Sequence, residues 1–84
     1  MSTLIIIPAH NEEESIGNVI VALLPLQIPI LIVGSACTDA TIPIAQKLGC
    51  FVIESGIGYE TACLSGYHWA LQKGYTQVVQ MDAD

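Results

Sequence analysis

The chain has 84 residues, of which 52% are hydrophobic and 12% are charged, and its formal net charge is −6. Lys47 and Lys73 are its only lysine or arginine side chains, which argues against a nucleic-acid partner, because binding a phosphate backbone requires a basic surface. The length allows residues 1–84 to be one small domain or part of a larger one. The high apolar content is typical of strands buried between two layers of helices.

The cysteines predict a reducing compartment. Cys37, Cys50 and Cys63 are odd in number and widely spaced, so they suggest neither a disulfide framework nor a zinc site. The N-terminus carries no secretory signal, and prolines interrupt the apolar stretch of residues 19–33, which therefore does not predict a membrane span. We expect a cytoplasmic protein.

The first predicted strand is the apolar, β-branched run of residues 4–7, which Pro8 closes. Asn11 and Glu14 have the spacing of a capping box and predict the start of a first helix. Apolar residues then recur at helical spacing until Pro25 ends the helix.

Residues 30–33 predict a second buried strand, followed by a loop. Thr38, Asp39 and Thr41 are alternative caps for a second helix, because each offers a side-chain oxygen to unpaired backbone N–H groups. Gly49 is typical of the residue that follows a helix.

Residues 51–53 predict a third strand, and a third helix is expected to run from about Gly58 to Lys73. Its expected inner face consists mostly of small residues, which would let the helix approach the sheet closely: Ala62, Cys63, Gly66, Trp69 and Ala70. Residues 76–81 predict a fourth strand, which we expect to be buried like the first two.

The alternation of strands and helices predicts an α/β, Rossmann-like parallel sheet with helices on both faces. In this architecture, ligands bind beyond the carboxyl ends of the strands. Asp82 and Asp84 follow the fourth strand there, and side chains two residues apart in an extended segment point the same way. Two such carboxylates suit Mg²⁺ or Mn²⁺. The first β–α turn contains no glycine, which argues against a dinucleotide site.

Four motifs in order give the chain a family resemblance. They are residues 7–16 (Ile-Pro-Ala-His-Asn-Glu-Glu-Glu-Ser-Ile), residues 38–41 (Thr-Asp-Ala-Thr), the Gly-Tyr pairs at 58–59 and 66–67, and residues 79–84 (Val-Gln-Met-Asp-Ala-Asp). Together they resemble the N-terminal part of family 2 glycosyltransferases, in particular the polyprenyl-phosphate mannosyl- and glucosyltransferases. The resemblance implies the nucleotide-binding half of a glycosyltransferase A-type fold, without the acceptor-binding half.

The resemblance also implies the roles of individual residues. Pro8, Ala9 and Glu12 would line the nucleoside pocket, Asp82 would face the donor, and Asp84, together with Asp82, would bind Mg²⁺ or Mn²⁺. The implied partners are a nucleoside-diphosphate sugar and an acceptor, which in related enzymes is a lipid phosphate at the inner face of the membrane.

The chain departs from the family pattern in three places. Residues 34–39 (Gly-Ser-Ala-Cys-Thr-Asp) stand where relatives carry Asp-Asp-Gly-Ser-Thr-Asp, so the aspartate expected to bind the base is replaced by Ser35. Ile57 and Glu60 replace a basic residue and a glycine. No residue is assigned as the general base that would activate the acceptor.

These departures keep an alternative open, in which the chain is a truncated or degenerate relative that acts as a non-catalytic binding module. If the short chain is the native product, we expect it to form oligomers, because an incomplete sheet exposes strand edges. His10 lies in the nucleotide loop, but a surface or packing role fits it equally well. The resemblance alone does not decide whether this chain is an enzyme.

Overall fold

The structure is a computed structural model that describes residues 2–84. The described chain folds into four strands, three α-helices and one 3₁₀ turn, Leu24–Leu26. In chain order the strands and α-helices are β1 (Thr3–Ala9), α1 (Ile16–Leu23), β2 (Ile30–Ser35), α2 (Thr41–Lys47), β3 (Phe51–Ser55), α3 (Tyr59–Gln72) and β4 (Gln77–Gln80).

The four strands form one parallel sheet in the order β3-β2-β1-β4. β1 lies between β2 and β4, and its Ile5 is in register with Ile30 on one side and Val79 on the other. The chain first moves outward from β1 through β2 to β3 and then returns to the other side of β1. The gap between β1 and β4 is therefore the topological switch point, where open α/β sheets bind their ligands.

Both faces of the sheet are covered by helices, as predicted. Ile5 and Ile7 point to the side of α1 and α2, whereas Leu4 and Ile6 point to the side of α3. Since β1 is buried on both faces, its apolar run has to be continuous rather than alternating. This burial explains why the sequence marks β1 so clearly.

α3 packs closely against the sheet because its inner face is small. Ala62 and Ala70 are buried there, and a Cβ atom added at Gly66 would lie 2.9 Å from Cγ2 of Ile6 and 3.2 Å from Cγ2 of Val33. A side chain at this position would therefore push the helix away from the sheet. The predicted inner face is confirmed.

The prediction that β4 is buried is wrong. All four of its residues are exposed, and Val79 retains 46% of its accessible surface. The reason is position: within the described residues β4 pairs with β1 alone and is an edge strand. Its exposed edge fits the expectation of oligomers, which stays a prediction.

The predicted capping box at the start of α1 is also wrong. Ser15 precedes the helix and makes no side-chain cap, while Asn11 adopts a left-handed backbone conformation with φ of 50°. Oδ1 of Asn11 instead accepts hydrogen bonds from the backbone N–H groups of Thr38 and Asp39, at 2.8 and 3.3 Å. The side chain thus joins two loops rather than capping its own helix.

Asp39 is the residue that supports the start of α2. Its Oδ1 accepts hydrogen bonds from the backbone N–H and the hydroxyl of Thr41, at 2.9 and 2.5 Å. Desolvation acts to raise the pKa of Asp39, but hydrogen bonds from Thr41 and from the backbone of Glu13 lower it overall.

Within residues 2–84, no helix combines the length and the apolar character that crossing a membrane requires.

Candidate functional site

The four loops at the carboxyl ends of the strands meet, as predicted, and enclose a pocket of about 390 Å³. The pocket lies across the switch point between β1 and β4. Its lining comes from the segments after β1 and β4, the end of β2 and the start of α3: Pro8, Ala9, His10, Glu12, Ser35, Ile57, Gly58, Tyr59, Ala62, Asp82, Ala83 and Asp84.

All five residues singled out from the sequence line this pocket. Pro8 and Ala9 are buried at the end of β1, and Glu12 is half-buried in the loop that follows. Asp82 and Asp84 are exposed, whereas the Ala83 side chain between them is buried in the core beside α1. The two carboxylates therefore share one side of the terminal segment. Their binding roles stay predictions.

Ser15 fixes the segment that carries both aspartates. Its hydroxyl donates a hydrogen bond to the Ala83 carbonyl at 2.9 Å and lies 3.4 Å from Oε2 of Glu12. The start of α1 is thereby attached to the backbone between Asp82 and Asp84. This contact is not predictable from the sequence, because the two residues are 68 positions apart and no local pattern links them.

The loop after β1 is also fastened to the start of α2. The backbone N–H of Glu12 donates to the hydroxyl of Thr41 at 2.8 Å, and that of Glu13 donates to Asp39 Oδ2 at 3.2 Å. The Glu13 carboxylate in turn accepts a hydrogen bond from the backbone of Ala40. The Glu13 carboxylate is thus engaged in a hydrogen bond between the two loops, and Glu12 is the carboxylate of this loop that lines the pocket.

Ser35 braces the wall of the pocket opposite β4. Its hydroxyl donates to the Gly56 carbonyl at 3.1 Å and accepts from the Gly58 backbone N–H at 3.2 Å, and the residue is only 6% exposed. Gly58 itself has a φ of 118°, a conformation that an L side chain rarely adopts. Ser35, which replaces the aspartate of the family pattern, therefore holds the loop that precedes α3 in place.

His10 lies between the loop after β1 and the end of β2. Its Nδ1 is 2.5 Å from the Ser35 carbonyl oxygen, and the imidazole ring lines the pocket. The sequence leaves the role of His10 open between the nucleotide loop and a surface or packing position. The structure brings it into the pocket.

The two departures around the start of α3, Ile57 and Glu60, lie apart in space. Ile57 lines the pocket, whereas Glu60 lies in a second, more open cavity of about 370 Å³ on the β4 side of α3. The extra carboxylate therefore does not crowd the first pocket. Tyr59 borders both cavities, and the pKa of its hydroxyl is raised by desolvation, then by the Cys63 thiol and the Asp82 carboxylate.

The charge of the pocket is negative. Its ionisable lining includes the carboxylates of Glu12, Asp82 and Asp84, and neither lysine belongs to it. Within residues 2–84, no three metal-ligating side chains form a preassembled cluster. The pair of aspartates is consequently suited to a cation that takes its other ligands from a bound molecule or from water.

A comparison with curated proteins finds polyprenol monophosphomannose synthase of Mycolicibacterium smegmatis, which is 34% identical over 98% of this chain and 35% of its own length. The predicted family resemblance is confirmed. No family model matches the chain. The chain thus resembles the glycosyltransferase over about a third of that protein's length.

Solved structures show the same fold. Glucosyl-3-phosphoglycerate synthase from Mycobacterium tuberculosis, solved with Mn²⁺, uridine diphosphate and glucosyl-3-phosphoglycerate, matches with a TM-score of 0.83 and 24% identity over 99% of this chain and 33% of that protein. The same synthase with Mg²⁺ and uridine diphosphate matches with a TM-score of 0.82. The chain therefore has the Rossmann-like half of a glycosyltransferase A-type fold, as predicted.

Proposed function

We propose that the chain is the donor-binding part of a family 2 glycosyltransferase, which transfers a sugar from a nucleoside-diphosphate sugar to an acceptor. The observation that carries the proposal is the pocket at the switch point, where the end of β1 and the Asp82–Asp84 segment converge. The relationship to a polyprenol monophosphomannose synthase supports it. Pro8, Ala9 and Glu12 line the nucleoside side in this proposal, and Asp82 faces the donor.

The donor set fits a divalent cation such as Mg²⁺ or Mn²⁺. Asp82 and Asp84 offer carboxylate oxygens from one side of a segment that Ser15 fixes. Magnesium sites commonly use one or two carboxylates and complete their coordination with substrate phosphates and water. A diphosphate would otherwise meet three carboxylates, so the cation would have to neutralise this repulsion.

The proposed reaction is attack by an acceptor oxygen on the anomeric carbon of the sugar, with departure of the nucleoside diphosphate. When bound, the metal would act as a Lewis acid that stabilises the departing diphosphate. In this proposal the pocket residues of this chain bind and orient the donor, and Pro8 and Ala9 supply part of the apolar lining. No residue is assigned as the base that accepts the proton from the acceptor.

The acceptor in this proposal is a polyprenyl phosphate, presented at the inner face of the membrane. The support is the name of the curated relative, whose product is a polyprenol monophosphomannose. A supplied polyprenyl phosphate should then be consumed in a transfer assay, whereas phosphoglycerate, the ligand of the structural neighbour, should not be.

One observation favours the alternative of a non-catalytic binding module. Ser35, which stands where relatives carry an aspartate, is committed to bracing Gly56 and Gly58 rather than left available to a ligand. The two proposals differ in what the aspartates do. A module that has lost the donor site predicts that Asp82→Asn and Asp84→Asn change no binding property.

The deciding experiment is calorimetric titration of the chain with uridine and guanosine diphosphates in the presence and absence of Mn²⁺. We expect binding that requires Mn²⁺ and is abolished by EDTA. Asp84→Asn should weaken it by about tenfold or more, since even groups that only orient a metal ligand contribute that much. Glu54→Gln, which removes an exposed carboxylate of β3 outside the pocket, is the matched control. Equal affinities for Asp84→Asn and Glu54→Gln would refute the proposal.

A further inference from the structure

One hydrogen bond determines the tautomer of His10. Its Nδ1 lies 2.5 Å from the Ser35 carbonyl oxygen, and a carbonyl oxygen can only accept a hydrogen bond. Nδ1 must therefore carry the proton. In the neutral imidazole this leaves Nε2 unprotonated, with a lone pair that can accept a hydrogen bond.

No group within residues 2–84 makes a hydrogen bond to Nε2, and the ring is exposed and lines the pocket. The nearby Ser35 hydroxyl already donates to one backbone group and accepts from another. Ile57 and Gly58, which continue this wall, have no polar side-chain atoms. On this side of the pocket, Nε2 is thus the side-chain acceptor that a ligand can use.

The position of His10 matches one end of an extended ligand. The aspartates follow β4 and His10 lies against the end of β2, with β1 between them. Neighbouring strands are about 4.8 Å apart, so the two ends of the pocket are separated by about 10 Å. A nucleoside diphosphate whose phosphates lie at Asp82 and Asp84 would span this distance and place its base near His10.

Glu12 occupies the other part of the same loop. Its Oε2 is 3.4 Å from the hydroxyl of Ser15, which is itself bonded to Ala83. Glu12 therefore lies toward the phosphate end, where ribose hydroxyl groups would meet it. The base is left to His10.

We infer that His10 determines base specificity, because its Nε2 accepts a hydrogen bond from the ring N–H of uracil or guanine. This inference rests on the proposed function. Uracil N3 and guanine N1 carry a proton, whereas cytosine N3 and adenine N1 are acceptors and would face the Nε2 lone pair without a proton between them. The pocket then prefers uridine or guanosine diphosphate to cytidine or adenosine diphosphate, without an acidic side chain at position 35.

The test is titration of the 84-residue chain with each of the four nucleoside diphosphates in the presence of Mn²⁺. His10→Phe keeps a ring but removes the acceptor, and His10→Gln keeps a side-chain acceptor. We expect His10→Phe to weaken uridine or guanosine diphosphate binding by about 3- to 10-fold, as for one net hydrogen bond, and to leave the weaker diphosphates almost unchanged. His10→Gln should restore part of the preference.

His68→Phe is the matched control, because His68 is exposed on α3 and lies outside the pocket. Circular dichroism of each variant checks that the fold is kept. Wild-type protein that binds all four diphosphates equally, or His10→Phe that weakens all four equally, would overturn the inference while leaving the proposed donor site intact. A wild-type chain that binds none of them would overturn both.

Discussion

Removal of the Ser15 hydroxyl would test whether the segment of residues 82–84 must be held in place in order to bind metal. Residues 82–84 lie beyond the end of β4, and the hydrogen bond from Ser15 to the Ala83 carbonyl attaches them to α1. Ser15→Ala removes that bond and leaves the two flanking carboxylates free to diverge. Within the proposed function, their ordering would then have to be achieved on binding.

The expected loss follows from the strength of one hydrogen bond. A net value of about 1 kcal/mol, with a range of about 0.5 to 1.5, corresponds to a decrease of about 2- to 10-fold in the Mn²⁺-dependent affinity for uridine diphosphate. α1 should keep its own stability, because Ser15 makes no side-chain cap to that helix. Ser15→Thr, which retains the hydroxyl, should recover most of the affinity.

The matched control removes a similar bond from the opposite edge of the sheet. The hydroxyl of Ser2 donates to the Gly74 carbonyl at 3.3 Å, far from the pocket, so Ser2→Ala should leave the affinity unchanged. Calorimetry measures the affinity, and thermal unfolding followed by circular dichroism measures stability. If Ser15→Ala binds as tightly as wild type, or no more weakly than Ser2→Ala, the segment does not need this attachment and the reasoning fails.

Two further predictions concern the fold around the pocket. Gly66→Ala should unfold at a lower temperature than Gly17→Ala, because both gain helix propensity but only a Cβ at position 66 collides, 2.9 Å from Ile6 Cγ2. Overpacking costs about 1–3 kcal/mol, which is roughly 4–24 °C in Tm. Equal melting temperatures would contradict the close packing of α3. Asp39, whose pKa is lowered by Thr41 despite desolvation, should contribute stability above about pH 4, the ordinary aspartate range, that is lost as the pH falls through its lowered value. Asp39→Asn should therefore flatten the acid limb of a stability–pH curve, and an unchanged limb would contradict this assignment.

The sequence predicted those elements whose signal is local. The continuous apolar run of β1, the small inner face of α3 and the glycine after α2 all reflect packing or backbone constraints that act within a few residues. The prediction for β4 failed because the burial of a strand is not a local property. A strand's burial depends on which strand lies outside it, and the apolar pair Val78 and Val79 carries no information about that neighbour.

The residues of the candidate site were predicted from the sequence, but the contacts that position them were not. Pro8, Glu12 and the two aspartates stand in motifs, so the family resemblance assigned them to one site. All four line the pocket. The polar contacts that hold these residues in place were not predicted, because the bonds of Ser15 to Ala83 and of His10 to Ser35 join residues 68 and 25 positions apart. Such contacts follow from the strand order, and no periodicity in the sequence encodes them.

Within the proposed function, the strand order also explains how so acidic a chain would offer a site to a diphosphate. Helices that connect parallel strands begin at the carboxyl edge of the sheet, and the amino end of α3 contributes Tyr59 and Ala62 to the pocket, where its dipole favours an anion. Lys47 and Lys73 lie at the carboxyl ends of α2 and α3, where cations suit the opposite pole. The lysines therefore suit the helix ends at the far edge of the sheet. Within the proposed function, the remaining positive charge that a diphosphate requires would come from a metal ion at Asp82 and Asp84. For this reason, the Mn²⁺ requirement is the property on which the proposed function depends most directly.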